Sequence, residues 1–265
     1  MRKVLCCLAL AAAWIPLVAR STAAQDVRVT PVPSLDWIIA TKPVPGTLAT
    51  GPLKSSPPSA PAYCRPCLFY GGDIDPNSPT VNGLSNENTL LVSDTTAFVP
   101  FIVPGGQTWQ VSGLLTNDLA FGYNGIDPMQ ATWSISTGLS GRNAGTTIAS
   151  GTGSATFTAT GRNVFGLNEY TVNVNLGAPG VHLRPGIYWL SVVPQCTNGG
   201  NSNCDTAQYF LSNTQGLNYY GPREPLAKSF FSSQYYGYFY ANACFVSTYG
   251  CREFSAGVEG KSATH

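Results

Sequence analysis

The stretch Glu169-Tyr-Thr-Val-Asn-Val-Asn-Leu176 alternates strictly. Tyr170, Val172, Val174 and Leu176 fall on one side, and Thr171, Asn173 and Asn175 on the other. Period-two alternation is the pattern of a strand with one packed and one wet face, because successive side chains leave opposite faces of the pleat. The pattern recurs. Gln107–Leu115 sets Trp109, Val111 and Leu115 against Gln110 and Ser112, and Ala131–Thr137 sets Trp133 and Ile135 against Thr132, Ser134 and Ser136. Ser154–Thr160, flanked by glycines, is a further strand. Ile187–Val193 is apolar on both faces, as expected of a central strand. No segment of helical period competes with these beyond residue 24. Strands recurring roughly every dozen residues, with turn residues between them, predict an all-β fold: a single β-sandwich of jelly-roll type.

The ends are read differently. Arg2 and Lys3, the apolar run Val4–Ala19 and the small residues Ser21–Ala24 have the layout of a secretory signal peptide, so residues 1–24 are assigned to it. Residues 25–62 hold eight of the chain's 20 prolines and read as an extended Pro-rich segment or linker. The sandwich domain is placed at 63–260 and a disordered tail at 261–265. No second apolar span follows the signal, so no membrane span is expected after its removal. Charged residues are only 10% of the chain and the net charge is +1, which argues against a nucleic-acid partner. The expected location is secreted or at the cell surface.

Two of the eight cysteines, Cys6 and Cys7, lie in the signal. The other six are Cys64, Cys67, Cys196, Cys204, Cys244 and Cys251. An even number in an exported chain predicts disulfides and no free thiol. The short loops between Cys196 and Cys204 and between Cys244 and Cys251 allow local pairs. Cys64-Arg-Pro-Cys67 has redox-motif spacing, but it lacks the strand before and the helix after that such a site needs.

Gly71–Asn88 collects three carboxylates and four asparagines without an apolar period. Asp73, Asp75 and Asn77 at alternate positions, with Glu87 beyond, are candidate ligands for a structural calcium ion, which takes six to eight oxygens. Ser78 and Leu84 stand where an EF-hand requires Gly and Glu, so that motif is excluded. The competing readings are a turn-rich loop whose Asp and Asn side chains cap their own backbone, and a catalytic carboxylate pair. Asp94, Asp118 and Asp127 read as turn formers and Glu169 as solvent-facing. His182 is the one histidine inside the domain and no G-x-S-x-G elbow exists, which leaves a serine triad without its parts. Trp109, Trp133 and Trp189 read as core.

The aromatic run near the C-terminus is the candidate binding site. Alternation puts Tyr236, Tyr238 and Tyr240 on one face and Tyr235 with Phe239 on the other. Phenylalanine is expected on the core side, leaving three tyrosines beside the amides of Gln234 and Asn242. Such a strip suits the flat apolar faces of sugars, so the expected partner is a polysaccharide or a second copy of the chain.

The segments GGQTWQVSGLLTNDL, ATWSISTGLSGRNAGTTIASGTGSATFTATGR and LRPGIYWLSVVP, in that order, resemble a group of secreted bacterial β-sandwich proteins, many of which carry a C-terminal PEP-type sorting tail (the choice-of-anchor type). The resemblance spans about residues 70–260. It implies export and a sandwich but no activity, and the sorting tail is not seen here. The favoured function is an exported non-catalytic binding or surface-matrix protein, with glycans as the candidate ligand. The alternatives are a secreted carbohydrate-active enzyme and a structural subunit that assembles by strand addition through Asp36–Thr41.

Overall fold

The computed structural model describes residues 62, 64–78, 81–122, 130–196, 207–222, 228–243 and 253–264. The signal segment, all of the Pro-rich segment but Ala62, Cys204, Cys244, Cys251 and Asp127 lie outside these residues, as does the side chain of Cys196. Expectations for them are therefore neither met nor corrected here.

The described residues form an all-β fold. Its strands are β1 (Cys67–Tyr70), β2 (Gly83–Ser85), β3 (Asn88–Thr89), β4 (Thr95–Val103), β5 (Gln107–Phe121), β6 (Gln130–Thr137), β7 (Thr146–Val164) and β8 (Leu167–Asn175). They continue as β9 (Val181–Leu183), β10 (Gly186–Cys196), β11 (Gln208–Thr214), β12 (Phe230–Ser233), β13 (Tyr238–Asn242), β14 (Glu253–Phe254) and β15 (Ala256–Thr264). The sheet runs β1-β15-β5-β8-β7-β6-β10-β4-β12-β13, with β11 and β9 also on β5 and β3 on β10. All pairs are antiparallel except β3 with β10. The path does not close on itself.

Two long strands make the sheet turn. β7 pairs with β6 through its first half and with β8 through its second, so it carries the sheet from the β4–β10–β6 region to the β8–β5–β15 region. β5 likewise changes partners along its length. Side chains from the two regions meet in one apolar cluster. Val99, Phe101, Ile135, Leu190 and Val192 come from the first, and Val111, Leu114, Val172, Val174 and Val258 from the second. Phe101 of β4 stacks on Trp109 of β5, which is not its neighbour in the sheet, with ring centroids 6.1 Å apart and planes 7° apart. Each fully buried aliphatic or aromatic side chain contributes roughly 1.5–3 kcal/mol, so this cluster dominates the drive to fold.

Strands form where expected at β6, β8 and β10, and Trp133, Ile135, Val172 and Val174 pack on the apolar cluster, but Thr171 and Ser136 on the expected wet faces are buried. β10 lies between β4 and β6 and is central as expected. β5 departs from its expected phase. Glu259 pairs with Gly113 and Gly260 with Val111, leaving Ser112 as an extra residue. Such a bulge swaps faces for everything beyond it. Trp109 and Val111 enter the main cluster, then Leu114 does, while Leu115 goes to the other face beside Cys64 and Tyr70. Gly260 faces the bulge with φ 156°, where a Cβ would run into the carbonyl oxygen of Gln110. The tail expected at 261–265 is instead strand as far as Thr264, with Lys261 paired to Gln110 and Thr264 to Gln107. Cys64 and Cys67 are joined as a disulfide at the entry to β1.

The second face of the β5–β8–β11 region is covered by Tyr70–Ile74. Tyr70 donates to Asp73 Oδ1 at 2.6 Å, Asn117 Nδ2 donates to Tyr70 Oη at 2.7 Å, and Thr171 Oγ1 donates to Asn117 Oδ1 at 2.7 Å. Asn218 holds Asp73 Oδ2 at 2.6 Å. Arg162 pairs with both Asp73, at 3.1 Å, and Glu169. Glu169 is fully buried rather than solvent-facing, because local alternation cannot register a segment distant in sequence folding over it.

Removing one partner of a buried ion pair leaves the other charges uncompensated, at roughly 3–5 kcal/mol. Arg162→Met is therefore expected to lower the free energy of unfolding, read by chemical denaturation, by that amount, and the midpoint with it. Arg162→Lys should recover only part, since an ammonium lacks the fork that reaches two carboxylates. An Arg162→Met midpoint equal to that of the parent would show that the pair carries no such role.

Candidate functional site

β12 and β13 form the last hairpin of the sheet path, with β12 laid on β4: Phe230 faces Phe98, Phe231 faces Ala97 and Ser233 faces Thr95. Gln234–Gly237 make the turn, closed by Gly237 N–H to the Gln234 carbonyl at 3.3 Å. The expected strip of three tyrosines on one face is not what results. Tyr236 lies in the turn, so strand alternation does not reach it. Tyr240 has φ 42°, which breaks the alternation again.

Tyr236 is half-buried and packs on Phe231, with centroids 6.5 Å apart. Tyr238 rests on the same Phe231 at 5.6 Å and keeps 40% of its surface. Tyr240 packs on Phe98 at 5.4 Å. Phe239, expected on the core side, is instead 62% exposed and meets Tyr240 edge-on at 4.9 Å. Tyr235 sits edge-on to Tyr236 at 4.8 Å. Gln234 is exposed and Asn242 half-buried. The exposed rings are thus Tyr238 and Phe239, with Phe231 and Tyr240 behind them and Tyr236 a further post against Phe231.

Beneath the turn lies an acid. Glu87 is fully buried. Ser85 Oγ and Thr89 Oγ1 each reach one of its carboxyl oxygens at 3.1 Å, and the Tyr209 backbone N–H reaches the carboxyl as well. The Tyr236 hydroxyl lies close enough to feel both Ser85 and the Glu87 charge. Burial of that phenol pushes its ionisation above the ordinary tyrosine value. Deeper in is Asp118, held by Thr116 Oγ1 at 2.6 Å and Asn86 Nδ2 at 3.0 Å. It was expected in a turn. Its position in β5, between Leu114–Leu115 and Leu119, puts it fully in the interior.

Burial raises both acids, since a charge is poorly solvated there. Glu87 is pushed up to about 8, the hydroxyl and N–H bonds opposing and Asp118 adding to the rise. Asp118 is pushed up to about 7, opposed by Thr116 and Asn86 and assisted by Glu169.

The candidate calcium ligands are dispersed. Asp73 belongs to the Arg162 network and Glu87 to the interior beneath the turn. Asp75 Oδ1 accepts the Asn77 N–H at 3.0 Å, which is the self-capping turn. Among the described residues no three His, Cys, Asp or Glu side chains are grouped to hold a metal. His182 is exposed on β9. The residues that sequence reasoning missed are Asn86, Asp118 and Arg162. A signal existed for Asp118: the polar Thr116-Asn117-Asp118 interrupts an apolar strand, which marks an internal polar network.

Both raised acids hold their proton more tightly in the folded chain than in the unfolded one. Their stability contribution is complete below the ordinary values of 4.5 and 3.8, and falls as pH rises toward about 8 and 7. The slope should be on the order of 1 kcal/mol per pH unit for each group. Unfolding midpoints are expected to decline across this window, and the decline should be shallower in Glu87→Gln. Equal declines in the two proteins would contradict the assignment to Glu87.

No protein-family model matches the chain, and neither the curated proteins nor the solved structures contain a significant match to it.

Proposed function

We infer that the chain is an exported, non-catalytic binding protein that holds neutral polysaccharide at the β12–β13 hairpin, on a bent, open sheet of jelly-roll-sandwich type. The carrying observation is the pair Tyr238 and Phe239, 40% and 62% exposed on rings already braced from behind by Phe231 and Tyr240. A braced ring gives up little freedom on contact, so the apolar face of a sugar gains most of its burial as affinity. Gln234 beside them offers both a donor and an acceptor to sugar hydroxyls. The chain's low charge favours a neutral ligand over an acidic one. The signal-like N-terminus and the resemblance to secreted bacterial sandwich proteins support export. Few contacts imply weak affinity, in the high micromolar range.

Affinity electrophoresis through gels containing single neutral polysaccharides tests this. The double variant Tyr238→Ala, Phe239→Ala should lose retardation while its melting temperature falls by only a few degrees. Tyr236→Ala, which removes a post, should cost about 2 kcal/mol of stability. Retardation unchanged in the double variant would move the site elsewhere.

A further inference from the structure

Tyr236 is held at both ends by hydroxyl groups that trace back to Glu87. At the phenol end, Ser85 Oγ donates to Glu87 Oε1 at 3.1 Å, and the Tyr236 hydroxyl lies close enough to feel both Ser85 and Glu87. At the backbone end, Tyr236 N–H donates to Ser233 Oγ at 3.1 Å, and Ser233 Oγ pairs with Thr95 Oγ1 at 2.9 Å. Thr95 is laddered to Glu87 by two backbone bonds, 2.9 and 3.0 Å long. The acid therefore sits at the root of both arms that seat the turn.

What surrounds Glu87 matters as much. The groups acting on its carboxyl are Ser85 from β2, Thr89 from β3 and the Tyr209 N–H from β11. The titratable ones are Asp118 from β5 and Tyr236 from the turn. None is a cation. The ion pairs among the described residues belong to Arg162, which joins Asp73 and Glu169. A protonated carboxyl suits this pocket: it donates to one hydroxyl and accepts from the others. An ionised one can only accept, faces another acid, and has no counter-charge, so it must gain water. The side of the pocket that can open at least expense is the half-buried turn at the end of the sheet, where the fewest ladder bonds have to break.

We propose that Glu87 is a proton-operated latch: protonated, it seats Tyr236 and holds the β12–β13 turn on the sheet; ionised, it releases that turn. Release frees the turn that leads directly into Tyr238, and so disturbs how Tyr238 and Phe239 sit on Phe231 and Tyr240. Resting on the polysaccharide reading, the consequence is a ligand grip that is firm in acid and slack in alkali.

Hydrogen–deuterium exchange of the whole mature protein reads the latch without any ligand. After correction for the intrinsic rate, exchange of Tyr236 and Gly237 should rise at least tenfold between about pH 6 and about pH 9. Amides of Leu190–Val193 should stay protected over the same range. Glu87→Gln should abolish the rise and Asp118→Asn should keep it. The infrared band of the buried protonated carboxyl gives a second readout in the unaltered protein, needed if Glu87→Gln does not fold: its loss should coincide with the rise in exchange. A turn that stays protected while the band disappears overturns the latch, and so does an equal rise in Glu87→Gln. Gel retardation by polysaccharide, run at the same two pH values, tests the consequence separately. Absence of retardation at both overturns the polysaccharide reading and leaves the exchange result to decide the latch.

Discussion

One asparagine joins the two regions of the sheet. Asn86 is fully buried. Its Nδ2 donates to the Val192 carbonyl of β10 at 2.8 Å and to Asp118 of β5 at 3.0 Å, while its Oδ1 accepts from the Ala97 N–H of β4 at 3.2 Å. Its own N–H donates to the Tyr209 carbonyl of β11 at 3.0 Å. β4 and β10 lie in one region, β5 and β11 in the other. An apolar cluster pulls such surfaces together without fixing how they sit, because burial is non-directional. Directional bonds to four strands supply the register. Each is worth only about 1 kcal/mol net, but leaving any of them unmade in the interior costs more. The packing of Phe101 on Trp109 and the position of Glu87, next in sequence, both depend on that register.

The strands were legible because alternation is a local property. Val172 and Val174, Trp133 and Ile135, and the two-sided apolar run of β10 read correctly from spacing alone. What was illegible was non-local. Thr171 and Glu169 look like a wet face, and would be one if Tyr70–Ile74 did not fold over them from about a hundred residues earlier in the chain. Ser112 gives no sign of being a bulge until its partner Gly260 is known. Within the candidate site, the aromatic content of Gln234–Asn242 was legible but its orientation was not. A four-residue turn and one left-handed residue, Tyr240, were enough to send Phe239 outward.

The opening of the domain shows how composition misleads about setting. Asp73, Asp75, Asn77 and Glu87 share a short stretch rich in turn residues, which suggested one oxygen-lined loop. The chain instead uses them in three ways: Asp75 and Asn77 form an exposed turn, Asp73 turns to Arg162, and Glu87 goes to the interior. Spacing of oxygen ligands is informative only when the intervening backbone curls around one point. Here it runs on through β2, whose pairing with β11 directs Ser85 and then Glu87 inward.

Asn117 and Asp118 are adjacent in β5, so their side chains leave opposite faces and enter separate networks. Asn117 joins Tyr70, Asp73 and Thr171, where Arg162 supplies a positive charge. Asp118 joins Asn86 and Thr116, and beyond them lies Glu87, where only hydroxyls and amides are present. One strand thus separates two solutions to the same problem. On one side buried carboxylates are balanced by a cation; on the other, neutrality has to come from a proton. The first arrangement has Arg162 as its cation; the second has hydroxyls and amides around its acids. The low charge content of the chain follows the second pattern through most of its interior, where Ser, Thr and Asn take the places that charged pairs would otherwise fill. Hydroxyls can reverse between donor and acceptor as the acid gains or loses its proton, whereas a guanidinium cannot. That reversibility is what lets the hydroxyl-lined side of β5 hold acids whose proton is retained by burial.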